Sequence, residues 1–328
     1  MMPRVSLEHA PVPATSPFVR TVLGDVPAAA LGATLPHEHL VVDWSEMLGR
    51  SKATFDRAAM VDRIVAKLER AADAGIGAIG EVTPIGTGRY VDLFVEVARR
   101  TRVKIVASTG FFHESWSPIH PLAAALDVDG LTDLFVREIT EGMGSTTVRA
   151  GLIKVATGEG RISPKEAQIL RAAARASLAT GCPIITHQTG GLGPEQLDLF
   201  GAEGLPAERV IVSHVGQGPD PIAPALALAD RGATVSIDQI SYPGFPDDGF
   251  VLVVVAAVTA GHRDRVVLGH DGLVFSYGPE ERFGPVDVSD YAYIPRVFIP
   301  RLRAAGLTED DVAAILVRNP ARALAFRR

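Results

Sequence analysis

Two histidines lie two residues apart in the run Leu35-Pro36-His37-Glu38-His39-Leu40, which closes an apolar segment near the N-terminus. In a β-strand, residues i and i+2 share a face, so His37 and His39 aim both imidazoles in one direction. Neutral imidazole is the commonest protein ligand for metal ions, and two converging rings make half of a zinc-type site. An H-x-H pair also arises by chance, so the other half must be sought elsewhere. Later apolar runs supply it: Gly151-Leu152-Ile153-Lys154-Val155 carries a lysine, Ile184-Ile185-Thr186-His187 and Val212-Ser213-His214 end on histidines, and Leu268-Gly269-His270-Asp271 runs into an aspartate. Taken singly, each has a plainer reading: a hydrogen-bonded structural histidine, a lysine that snorkels to solvent, an aspartate capping a helix. Taken together, four of the chain's nine histidines, one aspartate and one lysine fall at the same end of successive apolar runs.

Lys154 needs its own chemistry, because an ammonium repels cations. Beside two divalent ions and out of water its pKa falls, and the neutral amine can add CO2. The resulting carbamate offers two oxygens able to bridge two metals. Four imidazoles, one carbamate and one carboxylate suffice for a binuclear centre with ions about 3.5–4 Å apart. A smaller set would indicate a mononuclear site.

The elements that must position these groups alternate along the chain. Strands are expected at Ala33–Val42, Ala78–Val82, Lys104–Ser108, Ala150–Val155, Pro183–His187, Arg209–His214, Ala233–Asp238 and Arg265–His270. Helical patterns are expected at Arg57–Ala74, Tyr90–Arg100, Leu131–Gly142, Pro164–Thr180, Pro194–Glu203, Pro221–Arg231, Phe250–Gly261 and Tyr291–Ala305, with a last one at Glu309–Val317. Ser163-Pro164 with Glu166 reads as a helix start, with a hydroxyl cap, proline at the first position and glutamate at the third. Eight alternations predict a (β/α)8 barrel of TIM type, whose active site lies at the C-terminal ends of the strands. A doubly wound sheet would instead carry a glycine-rich phosphate loop after an early strand, and none is evident.

The bulk composition agrees. The chain has 328 residues, 47% hydrophobic and 21% charged, with a formal net charge of −6. No Lys/Arg block marks a nucleic-acid surface, and the longest apolar stretch, Phe250 to Ala260, falls short of a bilayer span. Residues 1–20 carry Pro3, Pro11, Pro13 and Pro17 without the apolar core of a signal peptide, and are expected to be irregular. Residues 1–328 are read as a single barrel domain, cytoplasmic, with a homodimer as the default assembly. The lone cysteine, Cys182, opens an apolar run and reads as a packed thiol rather than a nucleophile.

The motifs His37-Glu38-His39-Leu40, Gly151-Leu152-Ile153-Lys154-Val155-Ala156-Thr157-Gly158-Glu159-Gly160, Ile185-Thr186-His187, Ser213-His214 and Gly269-His270-Asp271 resemble the phosphotriesterase-like branch of the amidohydrolase superfamily. The resemblance extends from Thr21-Val22-Leu23-Gly24 to Asn319-Pro320-Ala321-Arg322. It implies a barrel whose first metal is held by His37, His39 and Asp271, and whose second is held by His187 and His214. Carbamylated (N6-carboxylated) Lys154 and a hydroxide would bridge the two. Zinc is the first choice, with cobalt, manganese or iron as alternatives. Asp271 and Lys154 are the candidate catalytic residues, Asp271 orienting the nucleophile and receiving its proton.

The departures concern substrate. Many relatives carry an acidic residue three positions after the sixth-strand histidine; here that position is Gln217, with Asp220 the nearest acid beyond it. Lactonase relatives place a tyrosine after strand three and an arginine after strand seven, where this chain has Phe112 and Gln239. Trp44, Phe112, Trp116, Gln239, Phe275 and Tyr277 are candidate pocket residues, and Tyr242, Phe245, Phe250 and Phe283 add aromatics to the same rim loops. These point to a small-molecule substrate with apolar groups. Arg89 is open to two readings, an anion contact or a structural ion pair. The resemblance implies a metal-dependent hydrolase of lactones or carboxylic esters, with phosphotriester cleavage as a side activity. Organophosphate or amide hydrolysis as the main activity, and a binding protein that retains its metals, are the competing expectations.

Overall fold

In the computed structural model, which describes residues 16–49, 55–116, 118–277 and 288–327, the apolar runs become the strands of a barrel. Its strands are Ala33–Glu38, Ile76–Glu81, Lys104–Phe111, Leu152–Ala156, Ile184–His187, Val210–Val212, Thr234–Ile237 and Val266–Leu268. Each ladder between sequential strands is parallel. The first and eighth strands close the ring beyond their ends, where the His39 N–H donates to Gly272 O at 2.9 Å and the Asp271 N–H donates to His37 O at 3.1 Å. Closure thus sets His37, His39 and Asp271 side by side.

Helices fill the connections, led by Arg57–Asp73 and Pro164–Thr180. The second begins as its sequence announces: Ser163 Oγ accepts from the Glu166 N–H at 3.1 Å, and the Glu166 carboxylate accepts from the Ser163 N–H at 3.0 Å. Ala78, Val106, Leu152, Ile185, Ile211 and Val267 form an interior layer with Val19, Val26 and Leu31 of the N-terminal segment. Phe18–Thr21 and Gly24–Pro27 pair as an antiparallel hairpin there, and Phe18 stacks on Phe326 with centroids 4.8 Å apart. Because side chains alternate, Lys154 and His187 point inward one layer above Leu152 and Ile185. Among the described residues, no helix is long and apolar enough to cross a membrane.

Three expectations change. The segment expected as one strand, Ala33–Val42, breaks after Glu38, and Val41–Asp43 pairs in parallel with Phe275–Tyr277 above the rim. The expected helix Tyr291–Ala305 contains a π-helical turn, Ile294–Phe298, in which the Ile299 N–H donates to Ile294 O. Another π turn, Ala314–Arg318, lies within a helical stretch running on to Ala323. In both cases a proline follows at once, Pro300 and Pro320; proline has no N–H and its ring crowds the carbonyl four residues back, so the widened turn relieves the helix. Phe283 lies outside the described residues.

Candidate active site

The lysine strand can lie close to its neighbour because Gly110 faces it. Gly110 pairs with Lys154 in the ladder at φ +115°, and a Cβ there would stand 1.8 Å from Lys154 O. Lys154 is 1% exposed, and its Nζ lies 3.0 Å from Nε2 of His37. It forms no ion pair with a carboxylate among the described residues. Burial pushes its ammonium down to about 8, against the opposing pull of Asp271, Asp238 and Glu81.

Around this nitrogen stand the other five groups. His37 Nε2 and His39 Nε2 lie 3.3 Å and 3.2 Å from Asp271 Oδ1. His214 Nε2 lies 2.7 Å from Nδ1 of His187, whose own Nε2 is buried without a hydrogen-bond partner. Ligand atoms of His37, His214 and Asp271 all fall within 4.8 Å of one another, a spacing that one cation could span. His214 and Asp271 occupy the left-handed region at φ 58° and 51°, costly for residues with a Cβ and characteristic of functional sites.

Buried carboxylates set the rings from behind. Asp238 Oδ2 is 2.8 Å from Nδ1 of His37, and its Oδ1 is 2.8 Å from Nδ1 of His214. With a proton on each Nδ1, both Nε2 lone pairs face inward. His39 is turned likewise: its Nδ1 lies 2.8 Å from Thr83 Oγ1, which donates to Glu81 at 2.6 Å. Glu38 accepts from the His270 N–H, from His270 Nδ1 and from the Gly272 N–H, anchoring the backbone on both sides of Asp271. Burial, then Lys154, lowers His37 to about 4, and burial and the neighbouring cations hold His187 well below its usual value. His214 is the exception: burial lowers it, but Asp238 and Asp271 together hold it above its ordinary value. Neutral or proton-displaced imidazoles are what a cation requires of its ligands.

Above this cluster sits a cavity of about 100 Å³. Trp44, Phe112, Trp116 and Gln239 line it, together with Val42, Tyr242 and Ser276. Trp44 meets Phe112 edge-on with centroids 5.2 Å apart, and Phe112 meets His187 at 5.1 Å. Phe275 and Tyr277 do not line it. They flank Ser276 on a strand, so they face the other way, where Phe275 packs under Arg63 and Tyr277 against Phe55. Phe245 packs beside Tyr242, and Phe250 is buried in a helix that starts at Asp247. Arg89 is structural: its guanidinium binds Glu138 at 2.5 Å and 2.8 Å and Ser108 O at 3.1 Å. Asp220 is exposed, and Gln217 instead donates to Gln239. Cys182 is fully buried, its thiol pushed up by burial.

Sequence reasoning missed Asp238, Thr83, Glu81 and His113. Asp238 carried a usable signal, since it directly follows the seventh apolar run, as the other site residues follow theirs. His113 has a buried, unpartnered Nε2 and lies 5.0 Å from His187 between ring centroids.

An eight-stranded parallel barrel with a His/Asp/Lys cluster at its C-terminal rim defines a class, the hydrolases of the amidohydrolase type. The chain belongs within it to the phosphotriesterase family, whose model matches residues 17–324. It is 32% identical over 317 residues to a phosphotriesterase homology protein of Mycobacterium tuberculosis, covering 93% of this chain and 97% of that one. It is 30% identical over 338 residues to a phospho-furanose lactonase of Mycoplasmopsis agalactiae, covering 94% and 92%. A mutant of the organophosphorus hydrolase from Deinococcus radiodurans superposes with a TM-score of 0.84 at 32% identity, covering 93% of this chain and 97% of that one. The family acts on small-molecule substrates, and the chain is a hydrolase.

Proposed function

We propose that the chain hydrolyses a lactone or carboxylic ester with apolar groups, using two divalent cations, zinc first among them. His37, His39 and Asp271 would hold one and His187 and His214 the other, with Lys154 as the shared ligand after its amine adds CO2 and releases a proton. When bound, such a pair would supply Lewis acidity and lower the pKa of a bound water. One observation carries this reading: six polar side chains from the ends of five strands converge around a buried Lys154 that pairs with no carboxylate among the described residues, with Asp238 turning the Nε2 atoms of His37 and His214 inward.

The remaining work falls to the chain's own groups. Asp271 Oδ1, between His37 and His39, is the candidate to orient the attacking water and take its proton. Trp44, Phe112 and Trp116 bind the apolar part of the substrate and exclude water. Tyr242 brings to the pocket a phenol that position 112 lacks. The lactonase among its relatives supports an acyl substrate, and the organophosphorus hydrolase supports phosphotriester cleavage as a side activity.

The test is turnover of a γ-lactone, an alkyl ester, an N-acyl amide and paraoxon after chelation, then with Zn²⁺, Co²⁺ or Mn²⁺ restored. Metal-dependent turnover, greatest on the lactone or ester, supports the reading. Absence of hydrolysis across the panel overturns it in favour of a binding protein.

A further inference from the structure

The end of the barrel opposite the catalytic rim holds a second cavity, of about 1150 Å³, between the N-terminal hairpin and the C-terminal helical stretch. Part of its lining is apolar. Phe18 and Phe326 stack there, and the backbone pins them: the Phe326 N–H donates to Phe18 O at 2.9 Å and the Arg327 N–H to Gly181 O at 3.0 Å. The lining also carries three guanidiniums, and they differ. Arg318 pairs with Asp310 at 2.8 Å. Arg322 gives one N–H to Asp264 O, and neither Arg322 nor Arg327 forms an ion pair with a carboxylate among the described residues. Two more arginines stand close by at strand starts. Arg209 precedes Val210–Val212 and donates to Ser177 O at 2.7 Å; Arg265 precedes Val266–Leu268 and donates to Gly232 O at 2.7 Å. Burial, then Arg265 and Arg327, lowers the Arg322 guanidinium from its ordinary value against the pull of Asp264, and burial, then Arg327, lowers Arg209. These cations repel one another, in a chain whose formal net charge is −6.

We propose that this cavity binds an amphiphilic organic anion, its carboxylate or phosphate head held by Arg322 and Arg327 and its apolar body laid on Phe18 and Phe326. The site is separate from the metal centre and does not depend on the hydrolase reading. Three features select this class of ligand. A guanidinium presents five N–H groups in a planar fork that matches two oxygens of a carboxylate or phosphate. Arg322 spends one of them on Asp264 O, which also fixes the fork in place. An anion set between Arg322 and Arg327 replaces repulsion by attraction on both sides, so the head group gains most there. The volume lies near the upper end of small-molecule sites, about 300–1,000 Å³, and the stacked aromatics offer contact that an inorganic ion leaves unused. A second copy of the chain fits poorly, because a two-fold contact would set these arginines against their own kind.

Isothermal titration of the full chain with octanoate and with octyl phosphate, below their micelle concentrations, tests this, with inorganic phosphate and octanol as controls. Both amphiphiles are expected to bind at least about tenfold tighter than either control, because head and tail each contribute. The tighter of the two identifies the head group. Arg322→Gln and Arg327→Gln should each weaken binding about tenfold, the loss of one charge-assisted contact. Arg322 also holds Asp264 O, so a third variant, Ala29→Glu, disturbs none of these contacts: Ala29 is exposed, lines the cavity, and a carboxylate there would engage the guanidiniums itself. Its Tm without ligand should match that of the wild-type protein, and its binding of both amphiphiles should be lost. Affinities that all three variants leave unchanged overturn the site, since an anion bound at the catalytic rim would be indifferent to them. An amphiphile bound no tighter than inorganic phosphate overturns the ligand class. Binding to anionic lipid vesicles with none to the monomeric amphiphiles overturns it in favour of a membrane surface.

Discussion

Asp238 holds His37 and His214 at once, one carboxylate oxygen 2.8 Å from Nδ1 of each ring. A single buried side chain just beyond the seventh strand thereby orients imidazoles from the ends of the first and the sixth. Asp238→Asn keeps the shape but leaves only one accepting oxygen, while its NH2 opposes the second imidazole N–H. Metal affinity should fall about 10- to 100-fold, measured by chelator competition. An unchanged affinity would show that the two rings orient themselves.

Removing Lys154 tests the shared-ligand role directly. Lys154→Ala should lower bound metal from two ions per chain to at most one, measured by elemental analysis, and abolish hydrolysis. A variant with full metal content and full rate would exclude Lys154 from the centre.

Metal removal should also be visible in stability. A ligand that binds only the folded chain stabilises it by about 2.7 kcal/mol when free ligand is a hundredfold above Kd. Chelated protein should therefore show a lower Tm than protein in excess zinc, with Tm rising as zinc is titrated. A Tm indifferent to zinc would mean no tight site.

The Arg89–Glu138 pair carries a pH dependence. Burial pushes the Glu138 carboxyl up, but the Arg89 guanidinium, Thr109 and the Gly144 N–H override it and hold it below its ordinary value. A depressed carboxylate contributes stability above its unfolded pKa of about 4.3 and loses it as pH falls through the lower folded value. Arg89→Met leaves a buried, uncompensated charge and should cost about 3–5 kcal/mol at neutral pH in urea unfolding. The deficit should shrink towards pH 4, because protonated Glu138 no longer needs its partner. A deficit equal at both pH values would mean that the loss is packing rather than charge.

Strand alternation separates the pocket aromatics from their neighbours. Trp44→Ala should raise KM for an aromatic ester about tenfold, the effect of roughly 1.4 kcal/mol of lost apolar contact. Phe275→Leu, facing Arg63 instead, should leave KM within about twofold. Equal effects would place Phe275 in the pocket after all.

Much of this arrangement was legible in the sequence because local periodicity decides which way a side chain points. His37 and His39 share a face by their spacing, Lys154 and His187 stand one layer above apolar residues two positions back, and the eight apolar runs, five of which carry the site, announce the barrel. Other features depended on contacts across the ring. Asp238 reaches two histidines 201 and 24 positions away, and Gln239 meets Asp271 across 32 positions. Phe275 and Tyr277 turned away because Phe275–Tyr277 pairs with Val41–Asp43, a ribbon with no periodic signal of its own. The chain alone thus determined the chemical groups, their order and the face each takes. Which of them touch was decided only when the barrel closed, because the distance between strand ends depends on how all eight strands are staggered around the ring.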